Sequence, residues 1–279
     1  MARLFLLGLF FCASFAFSKD AYIWNNVKMP SENFGRASKN TGGGADERYN
    51  EIAFPFLRYF EAENNNGEPT SAVLILGGGG YRQLALQRDA VPTAKLLSKN
   101  GVACFVLAYR LPDNRDGALQ DAQRAMRLIY KNAKKLNIDS GKIGVMGFSA
   151  GGHLAARLSN EDMDFYEKLD DADDFPKKAA FSVLIYPAYL AGKKTLELSP
   201  EIKASEKSPR AFIMQTQDDK AYEASSVGYM LALRKFGVPV DFHYFKEGGH
   251  GYALRVKGVP ASAWSNLLLE WMRFNKFAK

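Results

Sequence analysis

The order of short apolar runs and helical patterns constrains this chain more than any other feature. The runs occupy residues 72–76, 102–108, 142–146, 181–186, 211–215 and 238–244. They are short enough for buried strands, and most are continuous rather than alternating in apolar character. Between them, helical patterns cover 91–99, 117–134, 151–158, 225–236 and 261–274. In the second of these, Ala118, Ala122, Ala125, Leu128 and Ile129 recur at helical spacing and form a core-facing stripe. Such alternation specifies an α/β fold, a mostly parallel central sheet with helices on both faces, whose ligands bind at the carboxyl ends of the strands. With 279 residues, 47% of them hydrophobic, the chain can build one such domain.

The amino terminus reads differently. Arg3, an apolar run from Leu4 to Phe17 and the small residues of Ala16-Phe17-Ser18 have the pattern of a signal peptide over residues 1–18, cut before Lys19. The run is shorter than the ~20 residues a membrane-spanning helix needs. A secreted or periplasmic location is therefore expected, with no membrane span. Cys12 lies inside the run with Phe11 directly before it, a poor setting for lipid attachment. Residues 19–51 are polar and rich in Gly and Asn, and are expected to form an extended leader on a catalytic domain spanning 52–279. Removing the signal leaves Cys104 alone, which excludes an internal disulfide and makes Cys104 a small core residue. The net charge of +7 is spread among Asp and Glu with no basic stripe, so no nucleic-acid partner is expected. Residues 164–178, rich in Asp and Lys, are expected to be a solvated excursion between strands.

Chemistry concentrates where strands end. Gly147-Phe148-Ser149-Ala150-Gly151 joins an apolar run to an Ala-rich helical stretch, the setting of a nucleophile elbow. The turn strains the serine backbone, and small neighbours let the chain segments pass closely. A serine hydroxyl needs a base. Among the three histidines, His153 follows Ser149 by four positions on the same helix and suits a structural role, and His243 lies within a strand. His250, in Gly248-Gly249-His250-Gly251-Tyr252, sits on a loop beyond the last strand, from which an imidazole can reach the serine. The acid should fall between them in sequence. Asp218 and Asp219 both satisfy that order, and Asp219 is preferred because it lies further into its loop. For the oxyanion, the glycines from Gly77 to Gly80 leave backbone amides approachable, and the amide of Ala150 stands beside the nucleophile. Gly78 and Gly79 are the expected donors. The glycine run lacks the Lys-Ser/Thr that would make it a phosphate-binding loop.

Taken together, Gly77-Gly78-Gly79-Gly80-Tyr81, Tyr109-Arg110-Leu111-Pro112, Asp121-Ala122-Gln123-Arg124-Ala125, the stretch 147–154, the stretch 215–219 and Gly248 to Tyr252 give a resemblance. The chain resembles α/β-hydrolases of the acetylxylan-esterase-like, dienelactone-hydrolase-related type, from about residue 52 to 274. Overlaying the family's His-Gly-x-x-Asp pattern on Gln215-Thr216-Gln217-Asp218-Asp219 again selects Asp219. Gly77 stands where the family usually has proline, Gln215-Thr216 replaces His-Gly, and Ala221-Tyr222 replaces the Val-Pro that often follows the acid. Arg110 and Asp121 belong to the shared pattern and are read as a structural pair pinning nearby loops.

The resemblance implies a secreted serine esterase that needs no metal or cofactor and acts on acetyl groups of xylan or its oligosaccharides. Tyr81, Tyr189 and Tyr252 are candidate sugar-contacting residues, and the loop 187–209 is expected to wall the acyl pocket. Feruloyl-ester or peptide hydrolysis by the same residues, and a catalytically silent carbohydrate-binding protein, are the alternatives. Silence fits poorly with a complete serine, acid, histidine and glycine set.

Overall fold

The computed structural model describes residues 20–31, 39–41, 47–63, 66–255 and 257–279, so the signal-peptide reading of 1–18, Cys12 included, lies outside the described residues. In chain order the strands are β1 (Ala21–Tyr22), β2 (Lys39–Thr41), β3 (Arg48–Glu51), β4 (Phe56–Phe60), β5 (Thr70–Leu76), β6 (Val102–Ala108), β7 (Ile138–Phe148), β8 (Phe181–Ile185), β9 (Arg210–Thr216) and β10 (Val240–Phe245). The helices are α1 (Ala90–Ser98), α2 (Arg115–Asn132), α3 (Ala150–Asn160), α4 (Glu223–Lys235) and α5 (Trp264–Phe274). An eight-stranded sheet runs in the order β1-β4-β6-β5-β7-β8-β9-β10, while β2 and β3 form a separate antiparallel pair. From β6 to β10 every neighbouring pair is parallel, and β4 runs antiparallel to both β1 and β6. Strands β5, β6 and β8 are buried at every position, the environment that their unbroken apolar sequences require.

The antiparallel edge was not expected. Arg58 interrupts the apolar character of β4, which is tolerated because β4 lies next to the sheet edge and the side chain is partly exposed there. The guanidinium is held by Asp20 through Nε to Oδ1 (2.6 Å) and Nη2 to Oδ2 (2.9 Å). The leader is likewise no mere overlay. β1 extends the sheet, Ile23 and Trp24 are buried, and Trp24 Nε1–H donates to Asp121 Oδ1 at 2.7 Å. Residues 21–24 thus join the sheet and the core of the residues that follow.

Asp121 is the hub of that contact. It and Arg110 are both 0% exposed, and Asp121 accepts from the Arg110 amide (2.8 Å) and from its Nε (3.0 Å). Arg110 Nη2 reaches Gly117 O and Gln120 Oε1, each at 2.9 Å, and Nη1 reaches Ser31 O at 3.1 Å. The pair thus joins the end of β6, the first turns of α2 and the amino-terminal segment. Because removing one member strands the other charge in the core, Asp121→Ala should lose about 3–5 kcal/mol of unfolding free energy. Denaturant melts would check this, and a loss under about 1 kcal/mol would show the pair to be dispensable.

The stretch 164–178 is exposed at most of its positions, with a few side chains pinned to α2. Arg124 donates to both oxygens of Asp170 (2.7 and 2.6 Å) and to Asp173 (3.1 Å), and Arg127 pairs with Asp164 at 2.6 Å. Tyr166 OH donates to Asp173 at 2.6 Å, and Ala172 is fully buried. Its acidic residues look solvated in sequence because their partners stand about forty positions earlier on α2, where Arg124 and Arg127 share a face. Cys104 is buried in β6, and burial pushes its thiol pKa up. Among the described residues, no helix is long and apolar enough to cross a membrane.

Candidate active site

Four loops at the carboxyl ends of β5, β7, β9 and β10 meet at Ser149. That residue lies between β7 and α3 with φ 52° and ψ −118°, a region costly for any side chain, of order 1–3 kcal/mol. The packing around it holds the strain in place. A Cβ at Gly147 would fall 2.0 Å from Gly151 O, and one at Gly151 would fall 2.1 Å from Leu76 O, so neither position admits a side chain. The Ser149 amide is anchored on Ile185 O at 3.1 Å.

Ser149 Oγ and His250 Nε2 are 2.8 Å apart, and His250 Nδ1 and Asp219 Oδ2 are 2.7 Å apart. With a neutral imidazole protonated at Nδ1, the serine hydroxyl donates to Nε2 and Nδ1–H donates to the carboxylate. Asp219 is 2% exposed, and its other oxygen accepts the Tyr222 amide at 3.2 Å. Asp218, although adjacent, points elsewhere and accepts the amides of Gly248 (3.1 Å) and Gly249 (2.8 Å). Slight burial raises its pKa, but these bonds outweigh that and keep the carboxyl below its ordinary value. It thus fastens the histidine loop, as does Thr216 Oγ1–H on Gly249 O at 2.8 Å. Tyr186 and Tyr222 flank the imidazole, with ring centroids 5.1 and 4.8 Å away.

The glycine loop lies against the elbow. A Cβ at Gly78 would be 3.2 Å from Ser149 Cβ. Its amide, one of the expected oxyanion donors, is already taken: it donates to the buried carboxylate of Asp89 at 3.1 Å. Gly79 has φ 141°, and a Cβ there would meet Gln83 O at 2.0 Å, so only glycine fits. Among the described residues, the amides of Gly79 and Ala150 have no protein acceptor. They are the donors left for an incoming oxygen.

Two of the three candidate sugar-contacting tyrosines are buried. Tyr81 is 1% exposed, and its hydroxyl is 2.8 Å from His153 Nδ1, under the stacked guanidinium of Arg115. Tyr252 is 5% exposed and packs edge-on against Tyr186. Both rings turn inward because the space beneath the loops would otherwise be empty. Tyr189 is only partly buried, in the loop 187–209. Its hydroxyl accepts from Tyr222 OH at 3.4 Å and lies near Gly80. His153 is fully buried between Tyr81 and Glu201 Oε1 (3.2 Å), and desolvation lowers its pKa to about 4, so it stays neutral and structural. Asp89, Arg88, Glu201 and Tyr222 escaped sequence reasoning. Only Asp89 left a signal there, as a helix-capping residue ahead of α1.

Comparisons with known proteins agree with the fold. The BD-FAE family model matches residues 59–186. Acetylxylan esterase of Xylanibacter ruminicola is 29% identical over 218 residues, 69% of this chain and 42% of that protein. The chain spans about two-fifths of the length of the curated relatives it matches. Among solved structures, an acetyl ester-xyloside bifunctional hydrolase from Caldicellulosiruptor lactoaceticus superposes with a TM-score of 0.75 at 26% identity, covering 93% of this chain and 97% of that one. MGS-M1, an α/β hydrolase enzyme from a Medee basin deep-sea metagenome library, is 30% identical with a TM-score of 0.64, covering 79% and 91%. The chain therefore belongs to the α/β hydrolases, with similarity to acetylxylan esterase.

Proposed function

We propose that this chain is a serine esterase that removes acyl groups, acetyl foremost, from xylan or xylo-oligosaccharides. Ser149 Oγ attacks the ester carbonyl as His250 Nε2 takes its proton, and Asp219 holds the imidazole and stabilises the imidazolium. The carbonyl oxygen, now negative, accepts from the amides of Gly79 and Ala150. His250 then protonates the departing sugar hydroxyl, and a water activated by the same imidazole releases the acid from the acyl-enzyme. The observation that carries this reading is the hydrogen-bonded line Ser149–His250–Asp219 at the carboxyl ends of the strands. The acetyl-xylan assignment rests on the relatives' names: acetylxylan esterase, acetyl ester-xyloside hydrolase and, in Butyrivibrio fibrisolvens, endo-1,4-beta-xylanase B. Half-buried Tyr189 is the proposed sugar contact. Export directed by residues 1–18 completes the reading, and the mass of the protein recovered from its native host would report cleavage before Lys19.

The test of the activity is release of acetate and of ferulate from matched acetylated and feruloylated xylo-oligosaccharides, with native protein and Ser149→Ala assayed together. Acetate release that depends on Ser149 is the expected result. Ferulate release alone would reassign the acyl group, and release of neither would overturn the substrate assignment.

A further inference from the structure

Behind the glycine loop lies a carboxylate that the hydrolytic mechanism leaves unused. Asp89, directly before α1, is 4% exposed and accepts two backbone amides at once: Ala90 on Oδ1 (2.6 Å) and Gly78 on Oδ2 (3.1 Å). A Cβ added at Gly77 would lie 3.2 Å from Oδ1, and one at Gly78 would lie 3.3 Å from Oδ2, so the carboxylate is packed along the loop backbone. The preceding residue, Arg88, donates from Nη2 to the carbonyl of Gly251 at 2.9 Å, one residue beyond His250. Two consecutive side chains thus grip the two loops that must agree in position for the chemistry to proceed.

We propose that Arg88-Asp89 is a positioning unit, holding the glycine loop through the Gly78 amide and the histidine loop through the Gly251 carbonyl, in register with Ser149. This rests on the ester-hydrolase reading above. Neither side chain touches substrate; Asp89 acts through Gly78 on the amide of Gly79. Only an ionised carboxylate presents acceptors on both oxygens. A protonated acid or an amide turns a donor toward one of the two N–H groups, and the loop then loses a restraint. The groups that face Asp89 are Arg88 on its own segment, Arg255 beyond the histidine loop, Tyr109 at the end of β6 and Tyr186 after β8. Burial raises the Asp89 pKa to about 7, with the two amides and the two arginines opposing it. The restraint is complete above neutral pH and is lost as pH falls through that value.

The experiment compares native protein, Asp89→Asn and Arg88→Ala on an ester that Ser149 hydrolyses, following kcat and KM from pH 5 to 9. Asparagine caps helices as well as aspartate does, so α1 keeps its cap. Asp89→Asn removes a buried charge but leaves one N–H facing a donor, so its melting temperature at pH 8 should fall by no more than a few degrees. Its kcat should fall by about 10- to 100-fold with KM changed less than about threefold. The acid limb of log kcat should be steeper in native protein, where the Asp89 carboxyl must also lose a proton, than in Asp89→Asn, where it is absent. Arg88→Ala should lower kcat while keeping the steeper limb. An Asp89→Asn enzyme with kcat within about twofold of native, or with a parallel pH profile, or with a melting temperature lower by more than about ten degrees, would overturn the proposal. Native protein without Ser149-dependent turnover would overturn the ester-hydrolase reading and this proposal together.

Discussion

Ser149→Ala is expected to lower kcat by about 10⁴- to 10⁶-fold while leaving the melting temperature within a few degrees. Without Oγ no acyl-enzyme can form, and what turnover remains comes from water held near the two amides. The backbone has no reason to change, since alanine at φ 52° carries the same strain as serine and the Gly147–Gly151 contact is untouched. His250 Nε2 loses a partner, but the imidazole is 30% exposed and water replaces the hydroxyl. Reaction with a fluorophosphonate followed by intact mass gives a second readout: one adduct on the native chain, none on the variant. Turnover above background, or an adduct in the variant, would relocate the nucleophile.

The second large effect separates adjacent carboxylates. Asp219→Asn is expected to reduce kcat by about 10³- to 10⁴-fold, and Asp218→Asn by less than about tenfold. An asparagine at 219 can aim its amide nitrogen at His250 Nδ1, which stabilises the tautomer protonated at Nε2, and that tautomer cannot accept the serine proton. Asp218 serves only as an anchor for Gly248 and Gly249, and an asparagine oxygen can still accept one of those amides. Asp218 stays ionised across neutral pH, so its anchor is constant over the range in which the enzyme would be assayed. Equal or reversed losses would show that Asp218 orients the base.

The centre of the parallel sheet was legible because β5, β6 and β8 are buried at every position and their sequences are almost wholly apolar. Strand β4, with Arg58 at its centre, and β1, two residues long, carry no such signature. They exist through pairing with neighbours distant in sequence, which no local pattern records. Ser149, Asp219 and His250 could be selected because each follows a strand and the chain order restricts the acid. Sequence did not separate exposed aromatic residues from buried ones: Tyr81 and Tyr252 adjoin glycine-rich loops and Tyr189 lies in the loop 187–209, and only the three-dimensional fit decides which ring fills the space below. The Gly78 amide failed as an oxyanion donor for a similar reason. Its acceptor, Asp89, reads in sequence as nothing more than a helix cap.

The twist at residue 149 also limits which chemistry this scaffold could acquire. At φ 52° a β-branched side chain crowds its own backbone, so threonine is shut out as a nucleophile, whereas cysteine, with the same unbranched carbon as serine, fits. A thiol could inherit this site by one substitution, but a secondary alcohol would need the elbow rebuilt. The shape of a single turn thus sets the evolutionary neighbours of the enzyme before any substrate does.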